Sequence, residues 1–458
     1  MNNIKDKINR AFGLHQAGKL DEAQAEYSQI LEESPDNANV LYLMGFLKLQ
    51  NNLFEDAVLY LKKSVEFAPK FFDAWFNLGL AYKNNGEFTK SIEAYKKALE
   101  LEPESSDAYF NLANAYESQN NTFEALECYE KAYEYNTDKE DTVIPYFLGI
   151  AYLKVKDFKN GLKFYEYRPC KPFATFCQAR EYKKIEEKPL WTGETMKDKT
   201  LFVYYESALG DTLMYARYLA LLKDKFAKVL FKPQICLNKL FKENNLGVEI
   251  IDNKILPEDI DFDVHIPLMS IPYVLNLNTE DIPLSEGYLK ANPQKVRDYK
   301  EKYFNNDKFK IGIKWKGSTE YELSRIIPLK AFYKLFDLPN TQFYSVQKDE
   351  GIEELNDLPE KYNIINLGET FKDFSDTAAA IENCDLIICN DTSVAHLAGA
   401  MGKPCRILLP FVQNWRWHTD ISYSPWYKSV KLFKQTEVDN WEEVIDRVLA
   451  EVIKKLNG

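Results

Sequence analysis

Residues 389–404 read CNDTSVAHLAGAMGKP, and they carry the transition that sets the fold. An apolar run, Asp385–Cys389, leads into them and has the length and branching of a buried strand. Small polar residues follow, Asn390 to Ser393, and then an apolar stripe at helical spacing: Val394, Leu397, Ala398 and Met401. Gly402 and Pro404 end that helix. A strand that meets a helix at a polar corner is the unit of a parallel α/β sheet. Free amides at such a helix start, near Thr392, suit an anion such as a diphosphate. Thr392 and Ser393 add hydroxyls, and Asp391 is expected to cap the helix or face a sugar hydroxyl.

Working outward, the same alternation of short apolar runs and amphipathic segments holds from Thr200 to the C-terminus. It starts with TLFVYYE as a strand and DTLMYARYLALLKDKF as a helix. It restarts after a charged helix near residues 293–308, with FKIGIKWK as a new first strand and NWEEVIDRVLAEVIKKL as the closing helix. Two Rossmann-like halves, 200–305 and 306–458, are expected, with ligands at the carboxyl ends of the strands. Residues 168–199, with three prolines up to Pro189, read as a connector holding one short helix.

Residues 1–167 have a different texture. Pro35, Pro69 and Pro103 are 34 residues apart, and Ala23, Ala57, Ser91 and Ala125 keep that period. So do Ala11, Gly45, Gly79 and Ala113, and the bulky Tyr27, Leu61, Tyr95 and Tyr129. A degraded fifth unit, with Leu148, Gly149, Tyr152 and Gly161, follows after two extra residues. Small residues let paired helices approach closely, and stacked pairs bury what one pair cannot. The pattern resembles the tetratricopeptide repeat, which implies an α-solenoid whose concave face holds a polypeptide. Asn77 and Asn111, at equivalent positions, are expected to hydrogen-bond an extended peptide there.

The bulk properties exclude several classes. A net charge of −12 argues against nonspecific nucleic-acid binding, which needs excess Lys and Arg. The N-terminus lacks a secretory h-region, and no apolar run reaches the roughly 18 residues of a membrane span. The cysteines, Cys128, Cys170, Cys177, Cys236, Cys384, Cys389 and Cys405, form no CxxC pair, so reduced thiols and a cytoplasmic location are expected. The histidines, His15, His265, His396 and His418, lie far from any cysteine pair with zinc spacing.

NDTSVAHLAGAMGKP, with LGDTLMYARYL upstream and PWY downstream, resembles the heptosyltransferase-like enzymes of glycosyltransferase family 9. Joined to tetratricopeptide repeats, it is similar in organisation to protein O-linked N-acetylglucosamine transferases and flagellin glycosyltransferases. The resemblance implies a GT-B fold and an inverting transfer from a nucleotide-sugar donor, without metal or other cofactor. It places the Thr392, Ser393 and Val394 amides at the diphosphate with His396 nearby, and Asp391 beside them. Asp211, after Gly210, becomes the candidate general base and Glu206 a weaker one. Arg325, with Lys316 second, would neutralise the leaving diphosphate, and Gln347 would contact nucleotide or phosphate. His265 would line the acceptor side. Trp415, Arg416 and Trp417 read as packing residues, Arg217 as structural, and the acidic run DIDFD (259–263) as chance. The partners implied are a nucleotide-sugar and a polypeptide acceptor, with a second copy of the chain possible, since repeat arrays also dimerise. Two other readings follow from the same residues: a noncatalytic scaffold with a decayed transferase fold, or an enzyme whose acceptor is a saccharide.

Overall fold

The structure is a computed structural model that describes residues 2–168, 185, 187–252, 254–255, 259–278, 282–318, 323–418 and 420–457. It comprises two compact units, Met1–Val155 and Lys156–Gly458. The expected short helix of the connector falls on residues outside those described. The division lies before the end of the 1–167 repeat segment.

The first unit is built from α1 (Asn2–Gln16), α2 (Leu20–Glu33), α3 (Ala38–Gln50), α4 (Phe54–Phe67), α5 (Phe72–Asn84), α6 (Phe88–Leu101), α7 (Ser106–Ser118), α8 (Thr122–Tyr135) and α9 (Val143–Lys154). Each helix packs on the next. The 34-residue period has two physical causes. Small residues sit where helices touch: a Cβ on Gly79 would lie 2.8 Å from the Tyr95 ring, and one on Gly45 would lie 2.5 Å from Leu61 Cγ. The turn inside each pair needs a left-handed residue, supplied by Gly18, Asn52, Gly86 and Asn120, all at positive φ. Buried Ser91 donates to the Gly79 carbonyl at 2.7 Å, and Ser64 to that of Ala38 at 2.8 Å. Asn77 and Asn111 make bonds within the repeats. Each donates its side-chain amide to the carbonyl four residues earlier, Asp73 and Asp107, both at 2.9 Å. Asn77 Nδ2 also donates to Tyr42 Oη of α3, at 3.5 Å.

The second unit opens with α10 (Phe158–Tyr165), whose Phe158 packs against Trp426 and Tyr165 against Trp415. Two all-parallel sheets follow. One has the order β3-β2-β1-β4, from β1 (Met196–Tyr204), β2 (Phe226–Lys232), β3 (Glu249–Ile250) and β4 (Val264–Pro267). The other has the order β10-β9-β8-β5-β6-β7. Its strands are β5 (Phe309–Lys314), β6 (Thr341–Ser345), β7 (Ile364–Asn366), β8 (Leu386–Asn390), β9 (Cys405–Leu409) and β10 (Val430–Lys434). In this second sheet the chain winds outward from β5 through β6 to β7, then returns to β8 on the other side of β5. The gap between β5 and β8 is therefore a topological switch point, where α/β sheets place ligands. Ile311, Ile313 and Trp315 form the core on one face, with Trp441, Val444, Ile445, Val448 and Val452 of the closing helix.

Helices beside the sheets are α11 (Leu209–Tyr215), α12 (Ile235–Lys242), α13 (Pro293–Tyr303), α14 (Phe374–Glu382), α15 (Ser393–Ala400) and α16 (Trp441–Asn457). The stretch read as one helix from Asp211 is shorter. It is α-helical to Tyr215 and tightens to a 3-10 turn over Ala216–Leu222. Side chains compete for its carbonyls: Tyr288 Oη donates to Leu213, and Arg217 Nε to Met214 at 2.9 Å. Strand β10 was not legible as a strand, because VKLFK alternates with lysines and looks like a charged surface segment.

Candidate functional site

A cavity of about 580 Å³ opens at the carboxyl ends of strands from both sheets. Ser207–Gly210 after β1 and Gln234 after β2 line one side. Lys314, Lys316–Ser318 and Arg325 after β5, Val346–Glu350 after β6, and Asp391–Val394 after β8 line the other. Phe371, Phe374 and Thr377 complete it. Eight of the twelve residues given a site role from sequence line this cavity: Gly210, Lys316, Arg325, Gln347, Asp391, Thr392, Ser393 and Val394. Asp211 and His396 lie behind the wall.

The start of α15 lies among the lining residues, with Thr392 and not Asp391 in the N-cap position. Thr392 has extended backbone (φ −143°, ψ 175°) at the N-cap of α15, and its own side chain does not cap the helix. The amides of Ser393 and Val394 are those an α-helix leaves without an internal acceptor. Arg325 stands beside them. Its Nη1 donates to the Asp391 carbonyl at 3.1 Å, while Asn390 Nδ2 donates to the Arg325 carbonyl at 2.8 Å. These two bonds tie the loop after β5 to the end of β8.

Gln347 has a different place from the one expected. Its Oε1 accepts from the Trp315 and Lys316 amides at 3.3 and 3.1 Å, and its Nε2 donates to the Lys316 and Glu350 carbonyls at 3.0 and 2.6 Å. The side chain shapes the wall and has little left for a ligand. Lys316 Nζ lies 3.8 Å from Glu353, and Lys348 Nζ donates to the Phe371 carbonyl at 3.0 Å.

His396 is a correction to its expected position at phosphate. Its ring is buried, stacked on Trp417 with centroids 5.3 Å apart, and its Nδ1 lies 3.1 Å from Tyr427 Oη. The α11 backbone covers it, since a Cβ on Gly210 would come within 2.8 Å of its Cδ2. Burial first, and then the charges of Arg416, Arg217 and Arg325, hold its pKa well below the ordinary value, so the ring is neutral. The PWY segment thus acts through packing: Tyr427 meets His396, and Gly399 has no room for a Cβ against the Tyr427 ring, at 2.4 Å.

Asp211 is also buried. It pairs with the guanidinium of Arg416 and accepts from Ser207 Oγ at 2.7 Å. Burial opposes the charge on Arg416, but Asp211 and nearby tyrosines outweigh it and raise its pKa. Ser207 lines the cavity, so the carboxylate meets the cavity through that hydroxyl. Glu206 does not face it. Both its oxygens accept from Arg168, at 2.8–3.0 Å, and Oε1 also accepts from the Met269 amide at 2.9 Å. His265 sits at β4, between Tyr204 Oη at 3.2 Å and the Lys188 carbonyl at 3.1 Å, away from the cavity lining. Arg217 is buried and donates to the Trp426 carbonyl at 2.7 Å. Among the described residues no cluster of three or more His, Cys, Asp or Glu side chains converges to hold a metal ion.

One lining residue escaped the sequence reading. Lys314 ends β5, is buried, and has its pKa lowered to about 8 by that burial. The signal was present in FKIGIKWK: a lysine in register with Gly312, at the buried end of a central strand.

Residues 14–80, 72–105 and 94–127 match tetratricopeptide-repeat models, and residues 339–409 match glycosyltransferase family 9 (heptosyltransferase). The second match runs from β6 to β9 and contains Gln347 and Asp391–His396. The chain is 25% identical over 288 residues to Protein FlbA of Caulobacter vibrioides, covering 56% of this chain and 47% of that protein. It thus spans about half the length of that curated relative. Solved structures of MamA are also similar. One is 25% identical with a TM-score of 0.33, covering 34% of this chain and 91% of the other. Another, from Desulfovibrio magneticus RS-1, is 19% identical with a TM-score of 0.34, covering 36% and 93%. Among the described residues no helix is long and apolar enough to cross a membrane. The chain joins tetratricopeptide repeats to a domain that carries a glycosyltransferase family 9 segment.

Proposed function

We propose that the chain is an inverting, metal-independent glycosyltransferase of GT-B architecture, with the donor's diphosphate in the cavity between the sheets. The observation that carries this reading is the convergence there of the α15 helix start, at Ser393 and Val394, with Arg325. A departing nucleoside diphosphate develops negative charge. Amides and a fixed guanidinium aimed at it stabilise that charge without reorganising. The acceptor enters from the β1 side, past Ser207 and Gly210. Ser207 Oγ takes a hydrogen bond from the acceptor hydroxyl and is itself held by Asp211, the candidate base. Arg416 pairs with that carboxylate and holds it in place to receive the proton. One in-line displacement inverts the anomeric centre. The repeats recruit a polypeptide acceptor.

The test is transfer or hydrolysis from a panel of nucleotide-sugars with wild type, Arg325→Ala and Asp211→Asn. Arg325→Ala is expected to lower kcat by about 10²-fold, the effect of removing one charge-stabilising donor, and Asp211→Asn to lower it comparably. Equal rates for all three chains would remove the assigned roles. No turnover with any donor would favour a binding scaffold.

A further inference from the structure

Four cationic side chains line the cavity: Lys314, Lys316, Lys348 and Arg325. Three have protein partners. Arg325 donates to the Asp391 carbonyl, Lys348 donates to the Phe371 carbonyl, and Lys316 lies 3.8 Å from Glu353. Lys314 differs. It is 9% exposed, and among the described residues its ammonium has no hydrogen bond or ion pair. Its backbone sits at the centre of the sheet, with β6 on one side and Cys389 of β8 directly beside it. Ile311 and Ile313 point into the core on one face, so Lys314 shares the opposite face with Gly312. That face is closely filled at Gly312, where a Cβ would meet Ile387 at 2.6 Å and Cys384 Sγ at 3.1 Å. The lysine stem therefore rises past packed side chains to the cavity floor.

A buried ammonium without a partner is destabilising, because it has lost its hydration and gained no counter-charge. Two groups bear on its charge: the Cys389 thiol, which burial keeps protonated, and the Asp349 carboxylate. Neither pairs with it. The cavity is the remaining place from which a counter-charge can come.

We propose that Lys314 is an anion-binding residue of the donor site, taking a phosphoryl oxygen of a nucleoside diphosphate from below while Arg325 and the α15 amides hold the diphosphate from the side. This assignment rests on the cavity being the nucleotide-sugar site, and it names the residue that reads the ligand's charge at the sheet.

The test uses the full chain, wild type, Lys314→Met and Lys314→Gln, at pH 7. Thermal unfolding without ligand is compared first, then binding of inorganic pyrophosphate, UDP, GDP, ADP and CMP by calorimetry. Removing an unpartnered buried charge is expected to leave Tm unchanged or higher. The dissociation constant of the tightest-binding compound is expected to rise at least tenfold in both variants. Unchanged affinity in the variants would overturn the assignment and leave the glycosyl-transfer reading standing. A Tm lowered in both variants, with affinity unchanged, would make Lys314 a structural residue. Pyrophosphate bound through Lys314, with no preference for any nucleotide and no donor turnover, would keep the assignment and remove the transferase reading. No anion bound by wild type would overturn it.

Discussion

At the scale of single residues, buried charge separates support from function. Arg168 and Glu206 form a satisfied pair, joined by Glu166 and Ser270. Arg168→Met would strand a buried carboxylate and is expected to cost about 3–5 kcal/mol, read as a lower urea midpoint. Lys314 is the opposite case. Its pKa is about 8 in the fold against an ordinary 10.5, so the unfolded chain binds its proton more tightly. Stability should therefore rise with pH between about 8 and 10.5, by on the order of 3 kcal/mol from this group. Relative to wild type, Lys314→Met should therefore be more stable at pH 7 than at about pH 10.5, measured by denaturation at both pH values. Residue identity was legible where one motif fixes one backbone corner, as at Asp391–Val394. It was not legible for His396, because its covering side chains, Trp417 and Tyr427, come from a distant loop that no local pattern links to it.

At the scale of elements, α15 carries the chemistry and the small residues carry the packing. Ser393 is the first helical residue, where proline fits the backbone but removes one amide, and Thr392 before it is already extended. Ser393→Pro should thus keep the fold, with Tm within a few degrees, while weakening nucleoside diphosphate binding by about tenfold. Retained affinity would mean that the helix start does not hold the anion. In the repeats, Gly79→Val should cost about 1–3 kcal/mol of stability, because Tyr95 leaves no room and overpacking outweighs any gain in helix propensity. The strands flanking the site were readable from apolar runs bounded by polar turns. The 3-10 turn over Ala216–Leu222 was not, since it depends on Tyr288, some 70 residues away.

At the scale of the whole molecule, two compact units meet in sequence at Val155 and Lys156. All the residues that line the cavity belong to the second. A chain beginning at Lys156 is expected to bind nucleoside diphosphates like the full chain, by calorimetry, and to lose transfer to polypeptide acceptors. The repeats were readable because one period recurs along the chain. The division of the fifth unit was not, because α10 keeps the repeat's residues while packing on Trp415 and Trp426 of the second unit. The most direct measurement is a crystal structure of the full chain with its tightest-binding nucleoside diphosphate. The account predicts phosphoryl oxygens within hydrogen-bond distance of the Ser393 or Val394 amide and of the Arg325 guanidinium. Phosphates bound elsewhere, with that corner empty, would contradict it.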